Sequence, residues 1–178
     1  MDSFAHLLDG TVHSLQPILI LLILGSWALA MVGQISAHRS RKPGSPRPIS
    51  GKFILGMAVF ASIIGGEFAI GVFLKSAALK EVNPKLGAQV GAITVNEKPF
   101  DRPDDLLTAL RSMRDAPAHH SHPTIEYRVL LITSLGPLEL RLCRDSDNPN
   151  EYWVFYSGFQ STRRNEIGRV FTGVLDGT

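Results

Sequence analysis

Three histidines lie within four consecutive positions of the chain, at His119, His120 and His122. Their imidazole nitrogens are suitable ligands for Zn²⁺ or Cu²⁺. A structural zinc site needs four ligands and a catalytic site three with a water, and no other histidine and only one cysteine, Cys143, follows residue 88. The pattern therefore favours a polar connection between two elements. An envelope metal-binding or sensing protein that uses the cluster His119-His120-Ser121-His122 is the alternative hypothesis.

A second group of polar residues follows Arg144, where Asp145 and Asp147 precede Asn148. A calcium-binding loop would also need a glycine and a distal glutamate at fixed offsets, and this segment lacks both. We therefore predict a turn held by its own Asp and Asn side chains. The common motifs for nucleotide binding, serine hydrolysis, zinc proteolysis and dithiol redox chemistry are also missing from the sequence. We expect a protein that is not an enzyme and that carries no cofactor.

A run of aromatic residues at 152–156 is the strongest candidate for an interaction site. Strand alternation places Tyr152, Val154 and Tyr156 on one face, and Trp153 and Phe155 on the other. A strand that is apolar on both faces is either covered twice or presents one face to a partner. Trp153 and Phe155 therefore form a candidate interaction surface, and packing inside the core is the alternative.

Charge is distributed unevenly along the 178 residues, whose formal net charge is +2. Residues 38–52 contain five Lys and Arg residues and no acid, whereas residues 75–178 contain 13 basic and 13 acidic residues. Because the excess positive charge is confined to one short segment, the chain does not resemble a nucleic-acid binder. Its apolar content excludes a disordered chain, and a single cysteine excludes a disulfide scaffold.

The elements that carry these residues begin with two apolar segments, 17–37 and 53–74. As helices they would extend roughly 31 and 33 Å, which matches the hydrocarbon thickness of a bilayer. The first has acidic rather than basic residues before it, so it differs from a cleaved signal peptide. We predict two transmembrane helices.

The basic segment 38–52 sets the expected orientation, because short loops rich in Lys and Arg stay in the cytoplasm. This loop would contact anionic lipid. The N-terminal residues 1–16 and the region after residue 74 then lie outside, where residues 75–87 form a linker and residues 88–178 a domain. The chain contains no glycosylation sequon, which favours a bacterial inner membrane with the domain in the periplasm.

Glu67 is the one ionisable residue deep within either predicted span. A carboxyl group is costly in hydrocarbon and usually faces a protein interior. By depth, its nearest polar neighbours in the first span are Ser26 and Trp27. We expect Glu67 to pack against the first span or a second copy of the chain, with a headgroup-directed side chain as the alternative. Small residues on the same helix would permit close approach: Ser62, Gly65 and Gly66.

The C-terminal domain is predicted to be α+β, with one helix on an antiparallel sheet of about four to five strands. The helix begins near residue 101, with Asp101 as its N-cap. Cys143 alternates with the apolar row Leu138, Leu140 and Leu142, so its thiol should face away from the core and react with reagents unless another element covers it. The expected strands are 89–95, 124–133, 138–144, 151–156 and 169–175.

These features predict a two-pass membrane protein whose extracytoplasmic domain is a non-enzymatic interaction or accessory module of the cell envelope. The expected partners are the lipid bilayer and another membrane or envelope protein or a second copy of the chain. Nucleic acid is not expected as a partner.

Overall fold

The computed structural model describes residues 2–39, 49–115 and 120–175. The chain divides into two compact units, Gly10–Val72 and the combination of Met1–Asp9 with Phe73–Thr178. The elements of the described residues are, in chain order, α1 (Asp2–Arg39), α2 (Gly51–Gly87), β1 (Val90–Val95), β2 (Lys98–Pro99), α3 (Pro103–Arg111), β3 (Pro123–Thr133), β4 (Gly136–Asp145), β5 (Glu151–Tyr156), α4 (Gln160–Arg164) and β6 (Gly168–Phe171).

The two long helices α1 and α2 each contain a stretch long and apolar enough to cross a bilayer. The core helix of a soluble protein would be mostly covered, but only 17% and 6% of these stretches are buried. Large apolar side chains such as Leu21 and Phe68 are exposed. Helices that are apolar on all sides and uncovered by their own chain have the surface that lipid would cover.

Within the unit Gly10–Val72, α1 and α2 approach closely at Gly56. A methyl group added there would lie 2.6 Å from the Ser26 carbonyl oxygen and 2.9 Å from the Ala30 Cβ. Ala30 is correspondingly buried. Only glycine permits this separation, so Gly56 is one position at which the helix pair depends on a small residue.

The other unit contains a six-stranded antiparallel sheet in the order β2-β1-β3-β4-β5-β6. The α+β class is confirmed, and the sheet has one strand more than expected. The additional strand is β2, which the two-residue turn Asn96-Glu97 folds back onto the end of β1. Both turn residues have positive φ angles, 50° and 68°, as this type of hairpin turn requires.

The core of the sheet follows the predicted alternation. Val129, Leu131, Leu140, Leu142 and Val154 are buried on one face. Residues between them, including Glu139, are exposed or half-buried on the long strands. The hairpin of β3 and β4 is therefore the centre of the domain.

The expected linker 75–87 is wrong, because these residues continue α2 as helix to Gly87. Leu74, Ala78, Val82 and Leu86 recur every four residues and are all buried, so one stripe of the helix packs into the core of this unit. Pro84 removes one backbone donor near the end of the helix. Burial of the stripe outweighs that loss.

The helix α3 begins at Pro103, with Arg102 rather than Asp101 at the N-cap, so the expected cap is wrong. Pro103 has the φ angle that a helix needs in its first turn, and Asp104 and Asp105 offset the positive end of the helix dipole. No side-chain cap is formed at Arg102. The apolar side of α3 is buried: Leu106, Leu107, Ala109 and Leu110.

Candidate functional site

The first half of β1 is an open edge of the sheet. The short strand β2 pairs only with Thr94 and Val95, and it is the last strand on that side among the described residues. Beyond it, the Phe100 N–H donates to the Ile93 carbonyl at 3.0 Å. From Val90 to Ala92, therefore, the described residues place no strand beside the outer edge of β1. An open strand edge presents backbone groups to which another chain can add.

The helix α3 runs beside this edge in the opposite direction to β1. The helix starts soon after Phe100, which is hydrogen-bonded to Ile93. It ends at Arg111, and the Arg111 Nε donates to the Leu86 carbonyl, just before β1, at 2.8 Å. A second Arg111 nitrogen lies 3.5 Å from the Ala88 carbonyl. The helix and the strand edge thus form the two walls of a groove, here called the β1–α3 groove.

The β1–α3 groove has a volume of about 490 Å³, within the range of small-molecule sites. Ile93, Phe100 and Leu107 line it and are themselves more than nine-tenths buried, so they form a firm apolar floor. Asp104 and Arg111 are its charged lining residues, and both are exposed. Its lining contains no cysteine, serine or histidine that could act as a nucleophile or base. Asp104 is the one carboxylate among its lining residues.

The predicted aromatic surface is largely covered by arginine side chains of the same domain. Phe155 is 5% exposed, and the Arg141 guanidinium lies 4.6 Å from its ring centroid. Trp153 is half-buried beneath the Arg169 guanidinium, 4.0 Å from its ring centroid. An interaction through Trp153 and Phe155 stays a prediction, and Phe155 contributes little exposed area to it.

The histidine cluster is described only in part, because His119 lies outside the described residues. His120 and His122 are exposed, and the backbone N–H of His122 donates to the Ser146 Oγ at 3.1 Å. In the parts of the chain that the structure describes, no group of three His, Cys, Asp or Glu side chains could hold a metal ion.

The turn after β4 is organised by the buried carboxylate of Asp145. Its Oδ1 accepts the backbone N–H groups of Asp147 and Asn148 at 2.8 and 3.0 Å. Its Oδ2 accepts the Trp153 Nε1–H at 2.7 Å and the Ser121 hydroxyl. Burial alone would raise the pKa of Asp145, but these hydrogen bonds outweigh it and hold the pKa well below its usual range. The predicted turn is confirmed, with Asp145 as its centre.

Cys143 lies on the face of β4 away from the apolar row, as predicted, but its side chain is buried, so the exception for a covered thiol applies. The strand register places Cys143 between Glu126 on β3 and the large Trp153 ring on β5. Burial raises the pKa of its thiol, although the nearby Arg141 lowers it. Cys143 is therefore buried on the face of the sheet opposite Leu140 and Leu142.

The predicted packing residues of the helix pair differ in burial. Ser26 is buried opposite Gly56, and its Oγ donates to the Ile23 carbonyl. Trp27 is exposed and Glu67 is half-buried. The remaining members are exposed, and added Cβ atoms at both glycines would meet nothing within 4 Å: Ser62, Gly65 and Gly66. Packing of Glu67 against the first span or against a second copy stays a prediction.

Sequence reasoning missed the role of the first turns of α1. The Asp9 carboxylate accepts the backbone N–H groups of Gln160 and Ser161, at the start of α4. The His6 ring stacks on Phe159 at 4.3 Å, and its Nε2 lies 3.0 Å from the Glu81 Oε1. In the sequence, these contacts are signalled only by the positions of His6 and Asp9. The two residues precede the apolar span and lie about one helical turn apart, so they share one side of the helix.

Comparison with known proteins identifies no relative of the chain: no family model, no curated protein and no solved structure matches it. No ligand or residue role can therefore be transferred from a characterised protein. Function has to be inferred from the β1–α3 groove and the two apolar helices.

Proposed function

We propose that the chain is a two-pass membrane protein whose sheet domain is a non-enzymatic interaction module of a bacterial cell envelope. In this proposal the β1–α3 groove binds an extended segment of another membrane or envelope protein. The observation that carries it is the open edge of β1, which faces an apolar floor and a helix. Peptide segments bind to such edges through backbone hydrogen bonds, and the adjoining groove selects their side chains.

The proposed membrane topology rests on the two helices and on the basic loop between them. Two crossings return the chain to the side on which it began, and the contacts of Asp9 with Gln160 and of His6 with Glu81 agree with that. The basic segment 38–52 favours a cytoplasmic loop in contact with anionic lipid. The sheet domain is then periplasmic.

Site-specific photo-crosslinking in the native cells tests the docking role. Gln89 is exposed and lines the β1–α3 groove, whereas Ser146 is exposed in the turn after β4. We expect a photoreactive residue at position 89 to form a discrete adduct with a protein of the same membrane or envelope, and one at position 146 not to form it. The role is wrong if position 89 gives no adduct, or if both positions give the same set. An adduct of twice the chain's 19.5 kDa would instead assign the groove to a second copy.

Thiol labelling tests the topology. In the Ser146→Cys variant, a membrane-impermeant maleimide should react in intact cells whose outer membrane has been permeabilised, because position 146 is exposed and the domain is proposed to lie outside. The unaltered chain is the matched control, and it should label weakly because Cys143 is buried. Labelling of the variant only after lysis would reverse the proposed orientation.

A further inference from the structure

We infer that the β1–α3 groove is directional, a step that rests on the proposed docking role. It binds an extended segment antiparallel to β1, with a basic side chain near Asp104, apolar side chains on the floor and an acidic group near Arg111. The partner chemistry is therefore a short strand that is basic at its N-terminal end and acidic at its C-terminal end.

The length of the groove sets the length of that segment. The edge from Ala88 to Ile93 spans about 17 Å at the rise of an antiparallel strand. The nine residues of α3 beside it extend about 13 Å. About four to five extended residues therefore fit between the two charged ends.

The two ends of the groove have opposite charges. Arg111 is held near the start of β1 by its hydrogen bond to the carbonyl of Leu86, in the last turn of α2. Its contacts with Leu86 and Ala88 occupy two of five guanidinium N–H donors, which leaves donors for a carboxylate. Asp104 lies at the other end, in the first turn of α3 and close to Phe100. A segment with two unlike charges can therefore satisfy both ends in one orientation only.

The antiparallel orientation links this charge order to chain direction. Antiparallel pairing is slightly more stable per residue than parallel pairing. A segment antiparallel to β1 begins near Ile93, at the Asp104 end, and finishes near Ala88, at the Arg111 end. Its basic residue must therefore precede its acidic group.

Selection from peptide libraries tests this inference on the full-length protein in nanodiscs. One library displays random seven-residue segments inside a flexible linker, and a second displays them with a free C-terminal carboxylate. We expect enriched sequences to carry Lys or Arg before the apolar residues. Enriched internal segments should end in Asp or Glu. If segments with a free C-terminal carboxylate are enriched more strongly and carry no such residue, the acidic group is the chain terminus.

A charge-swapped variant, Asp104→Arg with Arg111→Asp, should select the reverse order and bind the original peptides at least about tenfold more weakly. The matched control is Asp105→Arg with Arg164→Asp, since both residues are exposed and lie outside the groove lining. The control should keep the original preference. Should the swapped variant not fold, Asp104→Asn alone is expected to remove the preference for the basic residue and keep that for the acidic group.

The outcomes distinguish a failure of the proposed direction from a failure of the docking role itself. Enriched peptides with no charge order, or with an order that the swap leaves unchanged, would overturn the direction and leave the docking role in place. No enrichment over empty nanodiscs in either library would overturn both.

Discussion

Replacement of Arg169 by alanine is expected to lower the free energy of unfolding of the sheet domain by about 3–5 kcal/mol. The Arg169 side chain is 1% exposed, and its Nη1 lies 2.8 Å from the Oε1 of the equally buried Glu151. Its Nε donates to Glu166 at 2.9 Å, and its guanidinium stacks on Trp153. Without Arg169, the buried Glu151 carboxylate would lose this ion pair, and a buried charge that loses an ion-pair partner is strongly destabilising. Urea denaturation of the full chain in detergent, followed by circular dichroism, measures the loss.

Two variants separate the buried charge from the loss of a long side chain. Arg164→Ala removes an exposed arginine and should change stability by no more than about 0.5 kcal/mol. The pair Arg169→Met with Glu151→Met should recover part of the loss, because the buried Glu151 carboxylate is removed with its partner and only the more exposed Glu166 loses an ion pair. If Arg169→Ala is no more destabilising than Arg164→Ala, the ion pair does not hold this part of the sheet.

The longer strands could be predicted because their alternation is a local property of the sequence. The aromatic strand occupies 151–156 as expected, and β3 and β4 differ from their predicted bounds by one or two residues. The elements β2 and α4 contain two and five residues, which is too short for a periodic pattern. Both depend on tertiary contacts: β2 on its pairing with β1, and α4 on the Asp9 carboxylate at its start.

The β1–α3 groove could not be predicted, because it arises from the spacing between two elements that the sequence identifies only separately. The strand 89–95 and the helix after residue 101 were both expected. The sequence does not show that β2 would end after two residues and leave the edge of β1 open. The apolar stripe from Leu74 to Leu86 has helical spacing in the sequence, but Pro84 within it is a typical helix stop signal, which burial of the stripe overrides.

Long separation along the sequence explains why the contacts of Asp9 and Arg169 could not be predicted. The Asp9 carboxylate and the Gln160 N–H that it accepts are 151 positions apart. Arg169 belongs to the last strand, and Glu151 to the strand before it. An isolated charged residue in a single sequence carries no sign of a buried partner. Such contacts became visible only when the fold had placed these side chains together.

Replacement of Asp145 by asparagine is expected to lower the free energy of unfolding by about 3 kcal/mol at neutral pH. The Asp145 carboxylate accepts four hydrogen bonds, and an amide offers one oxygen where the carboxylate offers two. The amide NH₂ group must then face either the Trp153 Nε1–H or the N–H groups of the turn. Asp147→Asn, at an exposed carboxylate two positions away, is the matched control and should cost no more than about 0.5 kcal/mol.

The pH dependence of the same variant tests the charge of Asp145 itself. Because the pKa of Asp145 is lower in the folded protein than in the unfolded chain, its contribution to stability is fully present above about pH 4 and is lost as the pH falls toward the folded-state pKa. The stability difference between the unaltered chain and Asp145→Asn should therefore shrink as the pH falls from about 4 to about 2. The difference for Asp147→Asn should stay small throughout. A gap between the unaltered chain and Asp145→Asn that keeps its full size at pH 2 would mean that shape, rather than the carboxylate charge, stabilises the turn.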